Sequence, residues 1–253
     1  MAIKLRKSFL YTLKTGLFIL ICFAFYKQWS RINWDETIAI ADIQWDFVLV
    51  TLLLVFVNWG LEWLKWLFIV KNITVLPRRR VLVKSLLAGI AIGFITPNRL
   101  GNFLGRILFF SKSKALYLTL GTLYGNLAQF IATIIFGWLG LYIIGNKLLS
   151  DNYSQSAVVV STVVMLIAII IYALGPFLYR LEWRRFKRIK NVLLKLSSMA
   201  EKTALPLLIF SMFRYLCFVT QFTLLILAFG GNFTQELIAS VCVVFLITTL
   251  TPN

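Results

Sequence analysis

Residues 81–110 read VLVKSLLAGIAIGFITPNRLGNFLGRILFF. The run is apolar enough for a bilayer, yet Thr96-Pro97-Asn98-Arg99 interrupts it and Gly89, Gly93, Gly101 and Gly105 punctuate it. Pro97 carries no N–H and disfavours a helical approach through Ile95 and Thr96, so two half-helices are expected to meet near Thr96. Thr96 then caps the second half and Pro97 occupies its first turn, which leaves free backbone N–H groups and a positive dipole end within the membrane. Such an end attracts anions.

The flanks decide how this stretch sits. Arg78, Arg79 and Arg80 precede it, and Arg106, Lys112 and Lys114 close it. Cytoplasmic segments carry the Lys/Arg excess, so basic flanks at both ends predict a re-entrant hairpin that enters and leaves on the cytoplasmic side. The loop over residues 180–202 agrees. It holds Arg180, Arg184, Arg185, Lys187, Arg188, Lys190, Lys195 and Lys202 against Glu182 and Glu201. It falls in the cytoplasm only if the earlier stretch turns back.

Hydrophobic residues make up 60% of the 253 residues, and apolar runs recur from end to end, so the expected class is an all-α polytopic integral membrane protein. Residues 9–26 follow Lys4, Arg6 and Lys7 and read as an uncleaved first span with the N-terminus cytoplasmic. Asp35, Glu36, Asp42 and Asp46 place the next segment outside. Residues 47–70, 117–144, 157–179 and 204–229 supply further spans, giving about five full spans plus two re-entrant hairpins in a cell (inner) membrane. Within residues 180–202, Ile189, Val192, Leu193, Leu196 and Met199 recur at helical spacing, as an amphipathic helix lying on the inner surface would.

The formal charge of +17 reads as topology and attraction to anionic lipid, because no soluble basic domain exists to bind nucleic acid. Histidine is absent, and Cys22, Cys217 and Cys242 stand in apolar runs at no metal-ligand spacing. These facts argue against a zinc site, histidine acid–base catalysis and a disulfide scaffold; no cofactor motif and no nucleotide-binding motif is present.

Leu250-Thr251-Pro252-Asn253 repeats Ile95-Thr96-Pro97-Asn98, with Ser240 and Ser85 in register. With the first hairpin re-entrant, the segments 47–70 and 204–229 run in opposite directions, so the copies enter from opposite sides, as inverted repeats do. Residues 1–253 thus form a single transmembrane domain, with a first repeat at about 9–110 and a second at about 157–253. The second hairpin is truncated at its break, as expected of a piece of a longer protein.

Arg99, Asn102 and Arg106 lie at i, i+3 and i+7 on one face of the second half-helix, with Asn98 beside them, staging two guanidinium groups over about 10 Å. Arginine suits phosphate, because its planar fork donates two parallel hydrogen bonds and keeps its charge when desolvated. The alternative is that Arg106 snorkels to the surface and Arg99 pairs with Glu62 or a carbonyl. Glu62 and Lys65 share a face of the span at 47–70, as an internal salt bridge or as lining of a substrate path. Arg214 needs a partner, and Glu62 is the intramembrane carboxylate on offer. The glycine pairs suit close helix packing, and Asn126, Gln129 and Gln221 suit interhelical hydrogen bonds.

The stretch Gly93-Phe94-Ile95-Thr96-Pro97-Asn98-Arg99-Leu100-Gly101-Asn102-Phe103-Leu104-Gly105-Arg106 resembles the Pro-x-Arg-x-Gly-Glu signature of the lysylphosphatidylglycerol synthase transmembrane region, or flippase-like domain. The late Leu250-Thr251-Pro252-Asn253 is similar to the start of that family's second Pro-rich motif. The resemblance implies movement of a lipid headgroup and carries Pro97, Arg99, Gly101 and Arg106 over as functional. Asn102 stands where the family usually has a carboxylate, which disfavours a cationic headgroup and leaves an anionic one. The expected function is therefore translocation of an anionic phospholipid or a polyprenyl-phosphate-linked headgroup, by Thr96, Pro97, Asn98, Arg99, Asn102, Arg106, Glu62, Lys65 and Arg214. The alternative is a non-transporting membrane partner of an envelope lipid- or glycan-modifying enzyme, with residues 180–202 as its docking surface; a homo-oligomer fits either reading. An enzyme is not expected from so thin a set of acid–base groups.

Overall fold

A computed structural model describes residues 43–96, 101–148, 151–174, 177 and 187–250. The expected first span at 9–26, the residues Pro97, Asn98 and Arg99, and the second Thr-Pro-Asn lie outside them. The helices are α1 (Trp45–Ile73), α2 (Arg79–Ile95), α3 (Gly101–Ile107), α4 (Lys112–Leu148), α5 (Asp151–Leu174), α6 (Lys187–Ala228) and α7 (Gln235–Leu250), with no strand among the described residues. Three are long and apolar enough to cross a membrane: α1, Lys112–Gly145 of α4 and Ser197–Ala228 of α6.

The patterning of α1 is inside out relative to a helix in water. Leu49, Leu52, Leu53, Phe56 and Trp59 are exposed, whereas Thr51, Asn58, Glu62 and Lys65 are buried. Apolar side chains facing outward cost nothing in hydrocarbon, and the polar ones must find partners within the bundle. Helix α1 packs chiefly against α6. Gln44 N donates to the Ala228 carbonyl at 3.0 Å, Gln221 Nε2 to the Thr51 carbonyl at 3.2 Å, and Phe68 meets Phe210 with ring centroids 5.5 Å apart. As one residue number rises the other falls, so α1 and α6 run antiparallel, the opposed directions expected of these two segments.

Helix α4 packs against α1, α5, α6 and α7. Its glycines admit side chains where another residue would collide. A Cβ on Gly121 would lie 2.6 Å from Ile69 Cγ2, and one on Gly140 would lie 2.6 Å from the Ala239 carbonyl oxygen. The Tyr124 and Tyr172 rings stack at 5.0 Å between α4 and α5, and Tyr172 donates to the Ala204 carbonyl of α6 at 2.8 Å.

Helix α2 ends where the sequence predicts a break, with Thr96 extended at φ −103° and ψ 141°. Helix α3 then packs back along α2. A Cβ on Gly105 would strike the Ala88 carbonyl oxygen; one on Gly101 would lie 2.6 Å from the Ile92 carbonyl oxygen, and one on Gly93 3.1 Å from Asn102 Cβ. These pairings are antiparallel, so the four glycines are the contact surface of a helical hairpin, as small residues permit in lipid.

Two expectations about later segments need correcting. Residues 187–202 do not form a separate helix; they are continuous with the apolar segment Ser197–Ala228 in one 42-residue helix, α6, that runs through Pro206. Met199, the last member of the apolar stripe, is buried beside α4 with Ser197 and Ala200, so it packs in the bundle and not on lipid headgroups. The segment expected at 157–179 begins earlier, in polar residues, as α5 (Asp151–Leu174); residues 175, 176, 178 and 179 lie outside those described. Helix α6 stops at Ala228 in a Schellman turn: Gly231 N donates to Ile226 O at 2.9 Å and Gly230 N to Leu227 O at 3.1 Å, with Gly230 at φ 87°.

Gly105→Val places its side chain against the backbone of α2 and is expected to cost about 1–3 kcal/mol or more. Gly60→Ala meets nothing within 4 Å and is expected to stay within about 1 kcal/mol of wild type. Thermal unfolding of the two variants in detergent checks this contrast; equal midpoints would refute the tight α2–α3 seam.

Candidate functional site: a buried ion cluster

The polar face of α1 places Asn58, Glu62 and Lys65 at i, i+4 and i+7, directed into the bundle. Two arginines from distant parts of the chain converge on it. Arg106, at the end of α3, donates through Nη2 to Glu62 Oε1, and Arg214, about two-thirds of the way along α6, donates through Nη1 to Glu62 Oε2. One carboxylate therefore ties α1 to both the hairpin and α6, with one guanidinium on each oxygen.

Each guanidinium is held from behind. Arg106 Nε donates to Asn102 Oδ1 at 2.8 Å, and Arg214 Nε donates to Asn58 Oδ1 at 2.7 Å. Each also faces a ring: Arg106 Cζ is 5.2 Å from the Trp66 centroid and Arg214 Cζ is 5.5 Å from that of Phe218. Trp66 is fixed in turn, because its Nε1 donates to Ser85 Oγ at 2.9 Å and Ser85 donates to the Leu82 carbonyl at 2.7 Å. A second, weaker limb runs from Lys65, whose Nζ donates to Gln129 Oε1 at 3.5 Å; Gln129 Nε2 donates to the Ser211 carbonyl at 3.3 Å. Among the described residues the Ser211 hydroxyl is buried without a hydrogen-bond partner.

The cluster sets three basic side chains, Lys65, Arg106 and Arg214, against the single carboxylate of Glu62. Such groups are costly inside hydrocarbon and persist when paired or put to use. The chemistry on offer is anion recognition. A metal cation gains nothing here, since both oxygens of the carboxylate already accept from guanidinium groups.

Of the residues expected to form the site, the fold assembles Glu62, Lys65, Asn102, Arg106 and Arg214. Thr96 acts within the hairpin tip: its Oγ1 accepts from Gly101 N at 2.7 Å and donates to the Ile92 carbonyl at 3.0 Å, joining the two half-helices. Pro97, Asn98 and Arg99 lie outside the described residues. The Glu62–Lys65 salt bridge gives way to the two arginines, which reach Glu62 with forked donors while Lys65 turns to α4. Arg106 does not snorkel; it is 2% exposed, with Asn102, Glu62 and Trp66 around it. The expected pairing of Arg214 with Glu62 is present, as are the bonds of Gln129 and Gln221 between helices, whereas Asn126 is exposed.

Sequence reasoning missed the supporting residues Asn58, Trp66, Ser85 and Phe218. Asn58 carried a signal, its spacing one turn before Glu62. The other three are ordinary in a membrane helix and betray nothing.

Comparison of the chain with protein families, curated proteins and solved structures finds no match.

Glu62→Gln strands the buried Arg106 guanidinium and the half-buried Arg214 guanidinium, so it is expected to cost about 3–5 kcal/mol. Arg106→Gln and Arg214→Gln each leave Glu62 one partner and should cost less. A double-mutant cycle between positions 62 and 106, read by denaturation in detergent, is expected to give a coupling of about 1–3 kcal/mol; additive losses would contradict the geometry.

Proposed function

We propose that the protein translocates lipids whose headgroup carries an anionic phosphate, either a phospholipid or a polyprenyl-phosphate-linked lipid. The observation that carries this reading is the cationic excess of the buried cluster, three basic side chains on one carboxylate within an apolar bundle. On insertion scales each such charge near the bilayer centre costs about 2.5–3.5 kcal/mol. An anion entering from the membrane would offset that cost, and arginine forks bind phosphate oxygens in pairs.

The path for such a headgroup is supported by the turned-back hairpin. Because α3 packs antiparallel on α2, the basic residues Arg79 and Arg80 at one end and Lys112 and Lys114 beyond the other end lie toward the same side. A re-entrant hairpin with a cytoplasmic base, in a cell (inner) membrane and with the N-terminus cytoplasmic, accords with that arrangement. The antiparallel α1 and α6 suit an inverted repeat with its site at the repeat interface. The resemblance of residues 93–106 to the flippase-like signature points the same way, and it adds Pro97 and Arg99 to the proposed contacts.

The test is headgroup movement across liposomes containing the protein and labelled anionic phospholipids. Arg106→Lys keeps the charge and loses the fork, so movement is expected to fall by at least about tenfold, the worth of one charge-assisted hydrogen bond. Arg99→Ala is expected to abolish movement in folded protein. Unchanged rates in both variants would refute the site. No movement of any lipid by folded wild type would favour a non-transporting membrane partner of an envelope enzyme.

A further inference from the structure

Glu62 lies between two arginines that are both already oriented by something else. Asn102 and Asn58 take the Nε–H groups, the Trp66 and Phe218 rings face the guanidinium groups, and the terminal nitrogens converge on one carboxylate. The arginines need an anion at that point, but nothing in their setting requires it to be a carboxylate. We infer that the seat of the Glu62 carboxylate between Arg106 and Arg214 is a phosphate site, which Glu62 fills as an internal stand-in until the headgroup displaces it. This rests on the translocase reading and names where that reading's anion binds.

Donor arithmetic supports the exchange. An arginine has five N–H donors, and the hydrogen bonds described use Nε and one terminal nitrogen of each residue. A carboxylate has two oxygens, and each already serves one guanidinium. A phosphate brings more oxygens and more negative charge to the same point, so it can satisfy both forks with donors that Glu62 leaves over.

The displaced carboxylate also has somewhere to go. Lys65 is three residues along the same face of α1, buried, and bonded to Gln129 by one long contact. Glu62 can therefore exchange two arginines for one lysine without leaving the bundle or becoming unpaired. The point of access is Arg214, whose side chain is 22% exposed while that of Arg106 is 2% exposed. Since Glu62 links α3 to α6 through the two arginines, its departure releases the hairpin from α6 unless the phosphate takes over both contacts.

The experiment uses the full chain in detergent and asks whether a phosphate restores what Glu62→Gln removes. Thermal midpoints are measured with inorganic phosphate, with phosphatidic acid, and with diacylglycerol of the same acyl chains. A ligand that binds the folded state raises the midpoint, and Glu62→Gln is expected to gain about 5 °C or more with a phosphate compound while wild type gains far less. Diacylglycerol is expected to give no such gain. Rescue by phosphatidic acid alone assigns the site to lipid; rescue by both assigns it to phosphate in general; either result supports the seat. Glu62→Asp retains the charge on a shorter stem and provides a milder variant, expected to gain by an intermediate amount. Adding Arg106→Gln to either variant is expected to abolish the gain.

Equal shifts in wild type and both position-62 variants would overturn the inference, as would rescue that survives Arg106→Gln. Wild-type lipid movement without rescue would leave the translocase reading intact and remove this seat. Rescue without lipid movement would keep the seat and remove the translocase.

Discussion

The bundle depends on a single carboxylate. In water a triad of Glu62, Arg106 and Arg214 would be a minor contribution, screened by salt and exchanged for solvent. Within an apolar bundle it is the main obligation the fold has to meet, because each partner is too costly to leave alone. The three residues come from α1, α3 and α6, separated by 44 and 152 positions in the chain. Meeting the electrostatic demand therefore fixes which helices must be neighbours. The antiparallel seam of α1 with α6 and the seating of the α2–α3 hairpin follow from it.

The glycines make this possible. Arg106 can reach Glu62 because α3 lies against α2 at backbone distance, and a Cβ on Gly89 would sit 2.6 Å from Arg106 Cγ. Small residues supply no energy of their own; they remove the bulk that would hold the hairpin apart. Dispersion contacts along the seam and the ion cluster at its end act together, and each would be weak without the other.

Much of this was visible in the chain. Glu62 and Lys65 on one face of an otherwise apolar run mark a helix with a polar side, and Pro97 marks the break. Arg214 could be matched to Glu62 simply because intramembrane acids are scarce. Local spacing failed where a distant group outcompeted a near one. Lys65 is well placed for Glu62 by sequence, but two forked guanidiniums brought in by tertiary packing are better donors. At Met199 periodicity could not decide, for a different reason: an apolar stripe has the same pattern whether it meets lipid headgroups or a neighbouring helix. Met199 was burial by α4, and only the packing of α4 could reveal it.

The continuity of α6 has a mechanical consequence. At 1.5 Å per residue its 42 residues extend about 63 Å, roughly twice the thickness of a hydrocarbon core. Arg214 lies well inside this rod, and its N-terminal residue Lys187 stands about 40 Å away along the axis. A pivot of about 10° at Arg214 would sweep that end through about 7 Å, a displacement larger than a helical turn. Pro206 lies between the two, leaving the Lys202 carbonyl without its usual helical donor and giving the lever a compliant joint. A small displacement of Arg214 at Glu62 would thus be magnified along α6 toward its basic end.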